Sequence, residues 1–198
     1  LDGEPTFFSQ SVDSMSDPEF RRLAREPLFV QVGRAFDAGF GGVGPERDTL
    51  MWGLPGPAAF RIGKKQLKYE LVRQQHKLGA PLVRLALPGS TLEAEELSAF
   101  PPEMDALGTR AARERRGLAV RDRAQMSWRY SENPHHRYRL AAVRRAHELV
   151  GVVVYRKGSF DLVEDGLLVD WPAPAGDEAA RAGLVAWGLG CARAQGGG

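Results

Sequence analysis

Side chains able to do chemistry are few and unevenly spread along this chain. His135 and His136 stand together, His76 and His147 stand alone, and Cys191 is the only cysteine. A zinc site needs three or four His, Cys or carboxylate ligands at suitable spacing. Two adjacent histidines with a distant thiol do not supply that set, so no metal is expected. A single cysteine also builds no disulfide framework. Gly39-x-Gly41-Gly42-x-Gly44 has the glycine density of a nucleotide loop, but it closes an apolar helical stripe where a dinucleotide fingerprint must open one. It reads as a flexible connector. Neither a G-x-S-x-G elbow nor a P-loop is present, which removes the usual support for a hydrolase or an NTPase. From Arg110 to Arg145 there are eleven Arg against Glu114, Asp122 and Glu132. Such a run either contacts phosphates or forms a solvated helix face. With a net charge of only +2 and Arg far outnumbering Lys throughout, the solvated face is the expected reading, and nucleic acid is not an expected partner.

The elements that must position these residues follow from hydrophobic patterning in a chain of 198 residues, 43% of them hydrophobic. That is enough for one fair-sized core or two small ones. No apolar run approaches the roughly 18 residues of a membrane span, so no membrane partner is expected. A charged-then-apolar leader is not visible, and the expected compartment is the cytoplasm. The first residue is Leu1 and the chain closes on Gly196-Gly197-Gly198, so missing sequence is expected on each side.

Phe7, Phe8, Val12 and Met15 among Ser and Thr predict a strand over 4–15. Leu28, Val32, Ala35, Phe36 and Phe40 predict a helix that Pro27 opens. A strand over 49–54, a helix over 58–67 and a strand over 69–78 follow. Residues 81–102, with their prolines and the acidic Glu93, Glu95 and Glu96, read as a linker. Beyond it come helices over 102–117 and 121–131, a hairpin of strands 138–146 and 149–155, a strand over 166–171 and a helix over 177–194.

The stretch Met15-Ser-Asp-Pro-Glu-Phe-Arg21-Arg22 resembles the V-x-P-E-[YF]-R pattern by which acyl-CoA N-acyltransferases of the GNAT superfamily leave a central strand for their phosphate loop. Trp52-Gly53-Leu54-Pro55-Gly56 resembles the G-F-P-N turn of members from surface-polysaccharide pathways. Leu67-Lys68-Tyr69 resembles the family's closing L-G-[FY] step. Trp128-Arg129-Tyr130, Asn133-Pro134, Tyr138, the hairpin and Gly166 to Asp170 resemble the N-terminal half of another unit.

The resemblance implies an α/β (α+β) fold with a GNAT-like mixed central sheet flanked by helices. Residues 1–85 would be the C-terminal half of a first unit, 86–101 a linker, and 102–198 the N-terminal half of a second. It implies an N-acyltransferase that uses acetyl-CoA or another acyl-CoA, with a small-molecule amine, such as an amino sugar, as acceptor. Cofactor binding would fall on Met15, Arg21, Arg22, Ala24 and Arg25. In the family's R-x-x-G-x-[GA] cradle, Ala24 and Glu26 occupy the small-residue positions, and a carboxylate at Glu26 opposes phosphate unless Arg22 and Arg25 offset it. The family's Tyr on the last helix is replaced near Lys64, which leaves Asp13 as the candidate base. In the second unit Asp177-Glu178 puts carboxylates at the helix start, where they stabilise the helix and occupy the dipole a pyrophosphate would use. The alternative is a catalytically degenerate module of the same fold, used for binding or scaffolding.

Overall fold

The computed structural model describes residues 6–11, 19, 26–44, 46–74, 79–114, 118–160 and 163–195, with side chains left aside at 159, 160 and 163–165. Asp13, Met15, Arg21, Arg22, Ala24 and Arg25 lie outside the described residues. The chain is a mixed α/β (α+β) protein whose described residues form two sheets and five α-helices. It divides into two compact units, residues 4–77 and 78–198. No helix of the described residues is long and apolar enough to cross a membrane.

In the N-terminal unit, strand β1 (Phe8–Ser11) lies parallel to β2 (Leu50–Gly53), in the register Phe8 to Leu50 and Ser11 to Gly53. Parallel neighbours need a crossover, and helix α1 (Leu28–Phe40) lies between them in sequence. Val30, outside the expected stripe, is the residue turned fully inward, while Leu28, Val32, Phe36 and Phe40 of the stripe stay exposed, with Phe36 stacked on Phe40 at a ring-centroid distance of 4.8 Å. The glycine-rich segment stops α1 as expected: Gly41 is the cap, its N–H bonded to the Asp37 carbonyl at 2.8 Å. The connector is also held from outside. Arg47 donates to the carbonyls of Ala38, Gly39 and Gly41 at 3.3, 2.9 and 3.4 Å, satisfying groups that a helix C-terminus leaves open.

Helix α2 (Pro57–Gln66) follows, and here one expectation fails. Residues 69–74 form no strand. Tyr69 instead folds back over the end of α2, with its N–H on the Gly63 carbonyl at 3.2 Å and its ring against Gly63, where a Cβ would come within 2.3 Å. The left-handed φ of 57° at Lys68 makes that reversal. Aromatic and apolar content suited a strand, but closing the helix end used the residues first.

The C-terminal unit is an antiparallel sheet ordered β3-β4-β5-β6: Ala94–Leu97, Arg139–Arg145, Glu148–Phe160 and Val163–Asp170. Helix α3 (Met104–Arg113), the short α4 (Arg123–Met126) and a π-helical turn over Ser127–Ser131 precede β4, and α5 (Glu178–Ala194) follows β6. Leu140–Val143 and Val152–Tyr155 are nearly continuous apolar runs because both faces of the sheet are covered. Leu140, Ala142, Val152 and Val154 meet Phe100, Met104, Leu107 and Met126 on one face. Ala141, Val143 and Val153 meet Ala180 and Leu184 of α5 on the other. Each fully buried Val or Leu contributes about 1.5–3 kcal/mol by leaving water.

Residues 94–97, within the segment expected to link, are an edge strand. Their acids serve its exposed side: Glu96 takes two bonds from Arg139 at 2.8 Å, and Glu95 takes one from Arg144 at 2.9 Å. Charged edge strands discourage pairing with foreign strands. The hairpin turns on Ala146 and His147, both at positive φ (46° and 74°), which matches the right-handed twist of its strands.

Candidate functional site

Anion binding in such a fold begins at helix N-termini, where the first N–H groups have no intrahelical acceptor and the dipole is positive. Helices α1 and α5 differ sharply there. At α1 the cap position is Pro27, which offers no side-chain acceptor, and the first turn contains no acid. Val30 and Gln31 donate to the Pro27 carbonyl at 2.9 and 3.2 Å, so Leu28 and Phe29 head the helix with outward N–H groups that find no acceptor among the described residues. Glu26 is engaged: Arg34 donates to its carboxylate, and its carbonyl accepts from Gln31 at 2.8 Å. Its charge is paired with a cation on α1 rather than left facing the loop. The segment before it holds Arg21, Arg22, Ala24 and Arg25, outside the described residues.

At α5 the same place is filled. The Asp177 carboxylate caps the Ala180 N–H at 3.1 Å and accepts from Arg145 at 2.9 Å, and Arg145 holds its carboxyl below the usual Asp range. Glu178 occupies the first turn and pairs with Arg181. One turn earlier, the Ala175 N–H donates to the Glu114 carboxylate at 2.5 Å. Carboxylates therefore take the donors that a pyrophosphate would need, and the residues present here do not fit one.

The end of β6 carries a second polar cluster. Val154 pairs with Asp170 while Tyr155 pairs with Leu168, which leaves Val169 as an extra residue. Such a bulge bends the strand and re-aims its side chains. The Asp170 side chain, 15% exposed, accepts from Arg121 Nε at 3.1 and 3.2 Å and from the Tyr130 hydroxyl at 3.0 Å. Burial, reinforced by the Asp170 carboxylate, pushes the Tyr130 phenol up to about 12. A general acid works best with a pKa near the working pH. Tyr130 is thus a fixed donor to Asp170 that ties the π-helical turn to the sheet. Gly108 of α3 permits this arrangement, since a Cβ there would lie 2.5 Å from the Arg121 carbonyl oxygen.

The arginine-rich segment is largely consumed inside the unit. Arg110 bonds the Leu149 carbonyl at 2.6 Å and pairs with Glu148, Arg123 bonds the Phe100 carbonyl at 3.0 Å, and Arg144 also reaches Glu103 at 3.0 Å. The sequence showed the charge but not these partners, because they lie about 20 to 50 residues away in the chain. His135 and His136 border an open cleft of about 450 Å³, and Trp128 and Tyr138 border another of about 420 Å³. Among the described residues no three His, Cys, Asp or Glu side chains gather as a metal site. Sequence reasoning missed Asp170 and Arg121 as a site, and the only signal was an acid closing a strand before Trp171-Pro172. Comparison with protein-family models, curated proteins and solved structures finds no match for this chain.

Proposed function

We propose that this chain belongs to an acyl-CoA-dependent N-acyltransferase of GNAT type, acting on a small amine such as an amino sugar in the cytoplasm. The N-terminal unit holds the cofactor and the C-terminal unit holds none. The observation that carries this reading is the contrast between the two helix N-termini: α1 is uncapped and free of acids in its first turn, whereas Asp177 caps α5. In a parallel β-α-β arrangement, ligands collect beyond the carboxyl end of the first strand, where α1 begins.

Bound there, acetyl-CoA or a longer acyl-CoA supplies the thioester that the amine attacks. The N–H groups of Leu28 and Phe29, with Arg21, Arg22 and Arg25, would bind its pyrophosphate, and Met15 and Ala24 complete the cofactor-binding set that the resemblance implies. Asp13 would take the proton from the attacking amine as the N–C bond forms, while the thioester C–S bond breaks and CoA leaves as the thiolate. Half of a larger layered unit also accounts for apolar surface in residues 4–77: Leu28, Val32, Phe36, Phe40, Leu50 and Trp52 remain between 41% and 58% exposed.

A second reading, a module of the same fold used only for binding, is favoured by the carboxylates at the head of α5. Acyl-transfer assays with a broad amine panel separate the two. Product that disappears in Asp13→Asn supports the transferase, and absence of product together with absence of acyl-CoA binding leaves the binding module.

A further inference from the structure

Two clefts open beside one another on the C-terminal unit, and Tyr138 lines both. The first is bordered by His135, His136, Arg137, Arg139, Arg156 and Lys157, and among the described residues no carboxylate lines it. Its origin is topological. β4 starts at Arg139, opposite Tyr155, while β5 runs on to Phe160, so residues 135–138 face the protruding strand from outside the ladder. Asn133 sets that loop: its Oδ1 accepts from the N–H groups of His135 at 2.9 Å and His136 at 3.0 Å, which leaves both imidazoles exposed. Arg139 is fixed by Glu96 and lies 5.3 Å from the centre of the Trp187 ring. Among the described residues Arg137 and Arg156 have no carboxylate partner.

The second cleft is aromatic. Trp128 stands 68% exposed in the π-helical turn, a distortion that recurs at functional sites. Glu132 beside it is an acceptor suited to a ribose hydroxyl or an exocyclic amine. A planar stacking surface next to a cationic cleft matches a ligand that joins an aromatic ring to phosphates.

We propose that this composite groove binds a small nucleotide, its base against Trp128 and its phosphoryl oxygens among His135, His136, Arg137 and Arg156. A nucleic-acid strand fits less well. It needs a continuing path of cations, and Arg110, Arg121, Arg123, Arg144 and Arg145 are engaged within the unit. The inference is independent of the acyltransferase reading.

Calorimetric titration of the 198-residue chain with ADP, UDP, pyrophosphate, adenosine and a 12-residue oligothymidylate tests it, with circular dichroism confirming that each variant folds. At least one nucleoside diphosphate binds about tenfold more tightly than pyrophosphate or adenosine. Trp128→Ala lowers that affinity by about tenfold and leaves pyrophosphate unchanged, whereas Arg156→Ala weakens both. Lack of competition by CoA identifies a free nucleotide and leaves the acyltransferase reading untouched, whereas competition by CoA supports the groove and overturns the reading that the C-terminal unit holds no cofactor. Nucleoside diphosphate affinity unchanged in both variants, or no better than that of pyrophosphate, overturns the proposal. So does an oligonucleotide that binds more tightly than either diphosphate.

Discussion

Asp170 is held by two donors, Arg121 in the loop before α4 and Tyr130 in the π-helical turn, so its removal strands both. Truncating one partner of a largely buried ion pair leaves an uncompensated group and costs about 3–5 kcal/mol in a fully buried setting. With Asp170 15% and Arg121 24% exposed, Asp170→Ala is expected to destabilise the protein by roughly 2–3 kcal/mol in urea unfolding. Tyr130→Phe removes one hydrogen bond and is expected to cost about 1 kcal/mol. Equal effects of the two substitutions would deny Asp170 its central place. Tyr130 also sets an alkaline limit. Its folded pKa, about 12, exceeds its ordinary value of 10.0, so the folded state keeps the proton more tightly. The stability this gives is complete below about pH 10 and is lost as pH rises toward about 12. Tyr130→Phe should flatten that decline, and a stability profile over pH 9–12 reads it directly.

Elements are fixed here by a few close approaches. Alanine favours a helix over glycine by about 1 kcal/mol, yet Gly108→Ala is expected to destabilise by roughly 1–3 kcal/mol, because its Cβ would meet the Arg121 backbone at 2.5 Å. A chemical-denaturation midpoint above that of the parent protein would show that α3 and the Arg121 segment can move apart. The hairpin offers the opposite case. Ala146 and His147 adopt a left-handed conformation that Asn and Gly reach more easily, so Ala146→Asn with His147→Gly should raise stability by about 1 kcal/mol. At α5, Asp177→Ala removes a cap and is expected to cost about 1 kcal/mol. Asp177 has a depressed pKa, so its share of stability is present above the usual Asp range and is lost as pH falls through the folded value.

For the molecule as a whole, the existence of α1, α5 and the β4–β5 hairpin was legible from helical spacing after Pro27, from the acidic first turn of α5 and from two apolar runs, but the buried side of α1 was not, since Val30 rather than the expected stripe turns inward. What was hidden depended on distant partners. Ala94–Leu97 is short, acidic and set among prolines, and only Arg139 and Arg144 reveal it as a sheet edge. Tyr69 carried a strand-like sequence that the end of α2 claimed. The Arg110 to Arg145 segment showed a charge density whose acceptors lie on other elements. The contrast between helix ends was half visible, since Asp177-Glu178 announced a capped α5, while the pairing of Glu26 with Arg34 needed the helix to be built.

The most direct test of the cofactor assignment is a calorimetric titration of the chain with acetyl-CoA, repeated on Arg22→Ala with Arg25→Ala, and on Asp177→Ala. One cofactor should bind per chain, with affinity that falls with added salt and by about tenfold in the arginine variant and is unchanged in Asp177→Ala. Absence of heat with acetyl-CoA and longer acyl-CoAs, or affinity that is unchanged in the arginine variant and altered in Asp177→Ala, would contradict it.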